Sequence, residues 1–265
     1  MLRLAIAGKG GVGKTTVAAL LARELARRGS RVVAVDADPA SSLPSALGID
    51  AEARKKIVPV SKMLDLIEER TGARPGEGYG GMFRLNPQVD DILDRYGVVC
   101  GPNVRLLVLG TIESGGSGCF CPESTLLRAL MDHLVLKGDD VLVIDAEAGL
   151  EHLGRASTKR VDIMLPVVEP GMRSVETAAK VAAMAKQVGV KRVAAVLNKV
   201  RGEENILRKA LAKEGIEVFA VLPFDPRLGG YDLEGTMPFD MALDGPMGEA
   251  VSALADSLMA SSNDS

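Results

Sequence analysis

Gly8-Lys9-Gly10-Gly11-Val12-Gly13-Lys14-Thr15-Thr16 is the stretch from which the fold of this chain is read. It follows an apolar run, Leu2–Ala7, that reads as a buried strand. It opens a segment, residues 15–28, whose apolar residues recur at helical spacing and stop at Gly29. Gly, four residues and Gly-Lys-Thr between a strand and a helix form a phosphate-binding loop. The glycines let backbone N–H groups turn inward on phosphate oxygens, and the helix N-terminus adds the positive end of its dipole. On this reading Gly8, Gly10, Gly11, Val12, Gly13, Lys14, Thr15 and Thr16 hold ATP or ADP by its phosphates. Lys14 reaches the β- and γ-phosphates, and the Thr15 hydroxyl coordinates Mg²⁺.

Working outward, short apolar runs alternate with helical patterns. Strands are expected at 31–35, 104–109, 140–144, 161–168, 192–197 and 218–222. Helices are expected at 61–71, 122–136, 173–188, 203–213 and 247–259, with Pro122 placed as a first helical residue. This alternation predicts an α/β fold of the P-loop type: a doubly wound, mostly parallel sheet with helices on both faces. Residues 1–260 read as one domain, with an irregular insertion at 72–103 and a polar tail at 261–265. Sites in such sheets lie beyond the carboxyl ends of the strands, where two acidic motifs fall. Asp36-Ala37-Asp38-Pro39 follows the second strand and sets two carboxylates on one side of an extended segment. Val141-Leu142-Val143-Ile144-Asp145 is an apolar strand ending in an acid, which places Asp145 on Mg²⁺ through water. Gly149 follows where its N–H would sense the γ-phosphate, with Glu147 and His152 beside it.

Composition narrows the partners. With 32 basic and 35 acidic residues the net charge is −3, which gives no electrostatic case for nucleic acid. Trp is absent and aromatics are scarce, so stacking platforms for bases are not expected. The N-terminus lacks the charged and apolar regions of a signal peptide, and no run of about 18 apolar residues occurs. A cytoplasmic protein without membrane partners is expected. The three cysteines then do not form a disulfide framework.

Lys9 is not needed to close the loop. Its position resembles the deviant P-loop family that includes the nitrogenase iron protein, septum-site and partition ATPases, and metal-insertion ATPases. The resemblance implies a homodimer in which Lys9 crosses to the partner's nucleotide and neutralises transition-state charge. It implies that Asp38 orients the attacking water and that Asp36 supports the switch. Asn198 would contact the adenine edge, and the loop carrying Pro223 and Phe224 would cover the base.

Gly115-Gly116-Ser117-Gly118-Cys119-Phe120-Cys121-Pro122 adds two thiols on one short segment. A bridge between residues i and i+2 is geometrically awkward. The helix opening at Pro122 is expected to lower the thiol pKa values. Thiolates bind zinc and nickel, and a two-fold dimer turns two ligands into the four of a closed site. Cys100 is isolated and reads as structural. Together with Gly149-Leu150-Glu151-His152-Leu153, these motifs resemble nickel-insertion ATPases of the CooC type. That implies Ni²⁺ or Zn²⁺ held by Cys119 and Cys121 across a dimer, with carbon monoxide dehydrogenase or acetyl-CoA synthase as client. Two alternatives stand beside it: a septum-site or partition-type regulatory ATPase, and an iron–sulfur carrier ATPase, since four thiolates also hold a cluster.

Overall fold

The computed structural model describes residues 2–75, 83–110, 121–133, 140–147, 161–235, 237 and 244–263. Among the described residues eight strands form one sheet: β1 (Leu2–Ala7), β2 (Val32–Asp36), β3 (Val98–Gly101), β4 (Val104–Val108), β5 (Val141–Asp145), β6 (Ile163–Val168), β7 (Arg192–Val200) and β8 (Glu217–Pro223). Their order is β3-β4-β2-β5-β1-β6-β7-β8, and every pair is parallel except β3–β4 at the edge. The doubly wound sheet is as expected. The stretch 72–103 contributes the short edge strand β3 and, before it, a helical turn at Ile92–Tyr96. Neither is long enough for periodicity to reveal it.

The central strands alternate between two cores. Leu4 and Ile6 of β1, Val32 and Ala34 of β2, and Val141 and Val143 of β5 face one core, with the buried residues of Lys14–Arg27 and Gly245–Asn263. Ala5, Ala7, Val33, Val35, Leu142 and Ile144 face the other, with Leu66, Ile67, Leu126 and Leu130 from the helices Leu64–Thr71 and Pro122–His133. Strands buried on both faces read as continuous apolar runs, which is how these sequences look. Two more helices, Met172–Val188 and Glu204–Lys213, cover β6 and β7.

Among the described residues the helices of eight or more residues are, in chain order, α1 (Lys14–Arg27), α2 (Leu64–Thr71), α3 (Pro122–His133), α4 (Met172–Val188), α5 (Glu204–Lys213), α6 (Pro226–Glu234) and α7 (Gly245–Asn263). Helix α7 is stapled to α1 by an ion pair between Arg28 and Asp256. The strand order reverses at β1, so the loop after β1 emerges between the ends of β5 and β6. That crevice is where open α/β sheets bind ligands.

Candidate nucleotide site

The loop from Gly8 to Gly13 is shaped by its neighbours as much as by its glycines. A Cβ on Gly8 would lie 2.8 Å from the carbonyl oxygen of Val167, so β6 admits only glycine there. Gly13 caps α1 in the left-handed region, at φ +91, and a Cβ on it would overlap Asn198 Nδ2. Lys9, Gly10 and Gly11 stand exposed on the rim, while Gly8, Val12 and Lys14 are buried. Gly13→Ala is expected to cost about 2 kcal/mol of stability through strain and overlap and to abolish ADP binding. Thermal melts and calorimetric titration check both outcomes; tight ADP binding by the variant would contradict the close fit.

Lys14 Nζ lies 3.8 Å from Asp38 Oδ2, both side chains being nearly buried. The Asp38 turn is tied to β2, because its N–H donates to Asp36 Oδ1 at 3.2 Å. Leu43 N–H donates to Asp36 Oδ2 at the same distance. Asp36 in turn sits opposite Asp145 in the β2–β5 register. Burial pushes the Asp36 carboxyl up to about 7, and the neighbouring Asp145 charge adds to the rise. The amides of Asp38 and Leu43 oppose it. Asp145 is raised to about 6, again chiefly by burial, with Thr15 and the Lys14 charge pulling the other way.

Both Asp145 oxygens are buried, and neither makes a hydrogen bond of good geometry, the nearby Thr15 hydroxyl only partly easing the charge. A buried carboxylate without partners is costly. A hydrated divalent cation at Thr15 and Asp145 removes that cost, so the residues fit Mg²⁺. Such an ion would supply positive charge to phosphate oxygens.

The sequence-chosen residues thus converge: the loop, Asp38, Asp145 and Asn198 meet at one end of the sheet. Asn198 makes a contact the resemblance did not name, donating from Nδ2 to the Val12 carbonyl at 2.8 Å. Phe224 is half-exposed beyond β8, with the Arg201 guanidinium stacked 3.7 Å from its ring centroid. Sequence reasoning missed Lys199, which also touches the loop, and Glu169, which pairs with Lys199; no local signal marked either.

The thiol expectation needs correcting. Cys121 is buried, and its thiol is raised, foremost by burial. Its Sγ accepts the Ser124 N–H at 3.4 Å, and Ser124 Oγ accepts from Cys121 N–H at 3.3 Å. Cys121 therefore serves as the N-cap of α3, a role in which a thiol suffices. The helix-end amide lowers the pKa as expected, but burial and the nearby Glu123 carboxyl outweigh it. Burial pushes the Cys100 thiol up to about 12, in line with a structural role. Cys119, Gly149 and His152 lie outside the described residues. Among the described residues no three His, Cys, Asp or Glu side chains converge as a metal site, and no helix is long and apolar enough to cross a membrane.

Residues 4–239 match the CobQ/CobB/MinD/ParA nucleotide binding domain. The chain is 48% identical over 226 residues to an uncharacterized ATP-binding protein of Methanocaldococcus jannaschii, covering 84% of this chain and 86% of that one. It is 39% identical over 241 residues to the carbon monoxide dehydrogenase accessory protein CooC of Rhodospirillum rubrum, covering 91% and 90%. Among solved structures it resembles the MinD cell division protein of Aquifex aeolicus in its complex with MinC, with a TM-score of 0.69 at 21% identity, covering 98% and 96%. A ParA family ATPase from Chlorobium tepidum gives a TM-score of 0.69 at 16% identity, covering 96% and 97%.

Proposed function

Because this chain belongs to the CobQ/CobB/MinD/ParA nucleotide-binding family and is an ATPase, we propose that it is a cytoplasmic metallochaperone that dimerises on ATP and delivers nickel to carbon monoxide dehydrogenase or acetyl-CoA synthase. The observation that carries this reading is the likeness to CooC, which runs over 91% of the chain. Cys119 and Cys121 of two copies supply the four cargo ligands, for Ni²⁺ or for Zn²⁺, which takes the same donors. Binding the cargo requires Cys121 to leave its capping role, so loading is coupled to movement at the start of α3. In the ATP-bound dimer Lys9 of each copy reaches the other's γ-phosphate. Lys14 exchanges Asp38 for phosphate, which frees Asp38 to orient the attacking water. Asn198, Pro223 and Phe224 surround the adenine.

The positioning-ATPase alternative requires a membrane-binding or DNA-binding face. Helix α7 contains no Lys or Arg, and its apolar residues Met247, Val251, Leu254 and Leu258 are spent on the core. That argues against an anionic-membrane anchor at this helix.

The deciding experiment measures bound metal in anaerobically purified protein and in Cys119→Ala/Cys121→Ala. The expected result is about one Ni²⁺ or Zn²⁺ per dimer, lost in the double variant. Undiminished metal in the variant would sink the proposal. A brown protein absorbing near ~400 nm would replace it with the iron–sulfur carrier.

A further inference from the structure

Two consecutive residues of β7 hold two consecutive carbonyls of the phosphate loop. Asn198 Nδ2 donates to the Val12 oxygen at 2.8 Å, and Lys199 Nζ donates to the Gly11 oxygen at 2.5 Å. The Lys199 ammonium is also paired with Glu169 Oε2 at 3.2 Å, at the end of β6. Glu169 is itself fixed, its backbone N–H donating to Ser174 Oγ at 3.1 Å in the first turn of α4. Lys199 has a backbone φ of +59, a left-handed conformation that a long side chain adopts only at a cost. The bend turns successive side chains, Asn198 and Lys199, toward the same loop, whereas a regular strand would send them to opposite faces.

The consequence follows from peptide geometry. In a trans peptide the C=O of one residue and the N–H of the next point in opposite directions. Drawing the Gly11 and Val12 oxygens toward β7 therefore aims the Val12 and Gly13 N–H groups away from it, into the loop, where the Val12 N–H meets the Lys9 carbonyl at 3.4 Å, a long bond that a phosphate oxygen can replace. The Gly13 φ of +91 permits that orientation, and no side chain at Gly11 or Gly13 obstructs it.

We infer that Lys199, held by Glu169, is a positioning residue that pre-sets the phosphate-binding amides of the loop. Lys199 acts from behind the loop, through the Gly11 carbonyl, and touches no phosphate. The inference rests on the phosphate-loop reading and extends it to a residue pair that lies outside the motif.

The test is ADP binding by calorimetry with melting temperatures, on wild type, Lys199→Asn, Lys199→Arg and Glu169→Gln. Asparagine tolerates the left-handed backbone, so Lys199→Asn removes the ammonium without adding strain. Its ADP Kd is expected to rise about tenfold, the scale of one charge-assisted hydrogen bond, with the melting temperature unchanged or higher. Lys199→Arg is expected to remain within about twofold of wild type, since it keeps a cationic donor, and Glu169→Gln to fall between. Equal ADP affinity in Lys199→Asn and wild type overturns the inference. So does a fall in affinity matched by a fall in melting temperature while Glu169→Gln binds normally. Failure of wild type to bind ADP would instead reject the phosphate-loop reading itself.

Discussion

Asp145→Asn is expected to make the nucleotide-free protein more stable while removing its ATPase activity. The folded protein holds the Asp145 carboxyl at about 6 against an ordinary 3.8, and holds Asp36 at about 7. The folded state therefore binds more protons than the unfolded chain across this window, and the pair's contribution to stability falls as pH rises through it. Above about pH 6 the ionised Asp145 costs about 3 kcal/mol relative to a group with an unshifted pKa. The asparagine variant escapes that cost and flattens the pH dependence between about 4 and 6. Melts in EDTA at pH 4 and pH 8 read the effect, and the gain should be small at pH 4 and full at pH 8. The same change removes the carboxylate proposed to hold Mg²⁺, an ion whose charge is worth several kcal/mol in phosphoryl transfer, so hydrolysis should fall by about 100-fold or more. A variant that is less stable in EDTA at pH 8, or that hydrolyses ATP at nearly the wild-type rate, would contradict the account of this pair.

The second large effect concerns Lys9, which is exposed on the rim of the loop. Lys9→Ala is expected to bind ADP about as well as wild type, because the loop amides and Lys14 are intact. Hydrolysis should fall by about 10³-fold, the scale of a charge supplied in trans at the transition state. Mixing gives a sharper readout. A Lys9→Ala subunit keeps its own metal ligand, and an Asp145→Asn subunit keeps its Lys9. Equal amounts of the two inactive proteins should recover about a quarter of wild-type activity, since half the dimers are mixed and each has one complete site. No recovery on mixing would show that Lys9 acts within its own subunit or on nothing.

The sequence made the loop legible because its chemistry is local: glycine spacing, a lysine and a hydroxyl between a strand and a helix. Asp36 and Asp145 were legible for the same reason, each closing an apolar run, and Asp38 stands two residues beyond Asp36. Their contact was not, because the β2–β5 register that sets Asp36 against Asp145 is a long-range fact. The bend at Lys199 escaped for a related reason, since nothing in Leu197-Asn198-Lys199 announces a left-handed lysine. Strand β3 was hidden by its four-residue length. Cys121 shows the opposite error. Its place before Pro122 was correctly read as a helix start, but how deeply the start is buried decides the thiol, and burial is a property of the whole fold.

The strand order also constrains how the protein is made. β1 leaves the ribosome before its sheet partners β5 and β6, at 141–145 and 163–168. The clamp on its loop arrives later still, with residues 198 and 199. A nascent chain therefore carries an unpaired apolar β1 until β5 and β6 have emerged, the kind of exposed strand that chaperones shield. Nucleotide has no finished pocket to enter until β7 has been translated and docked.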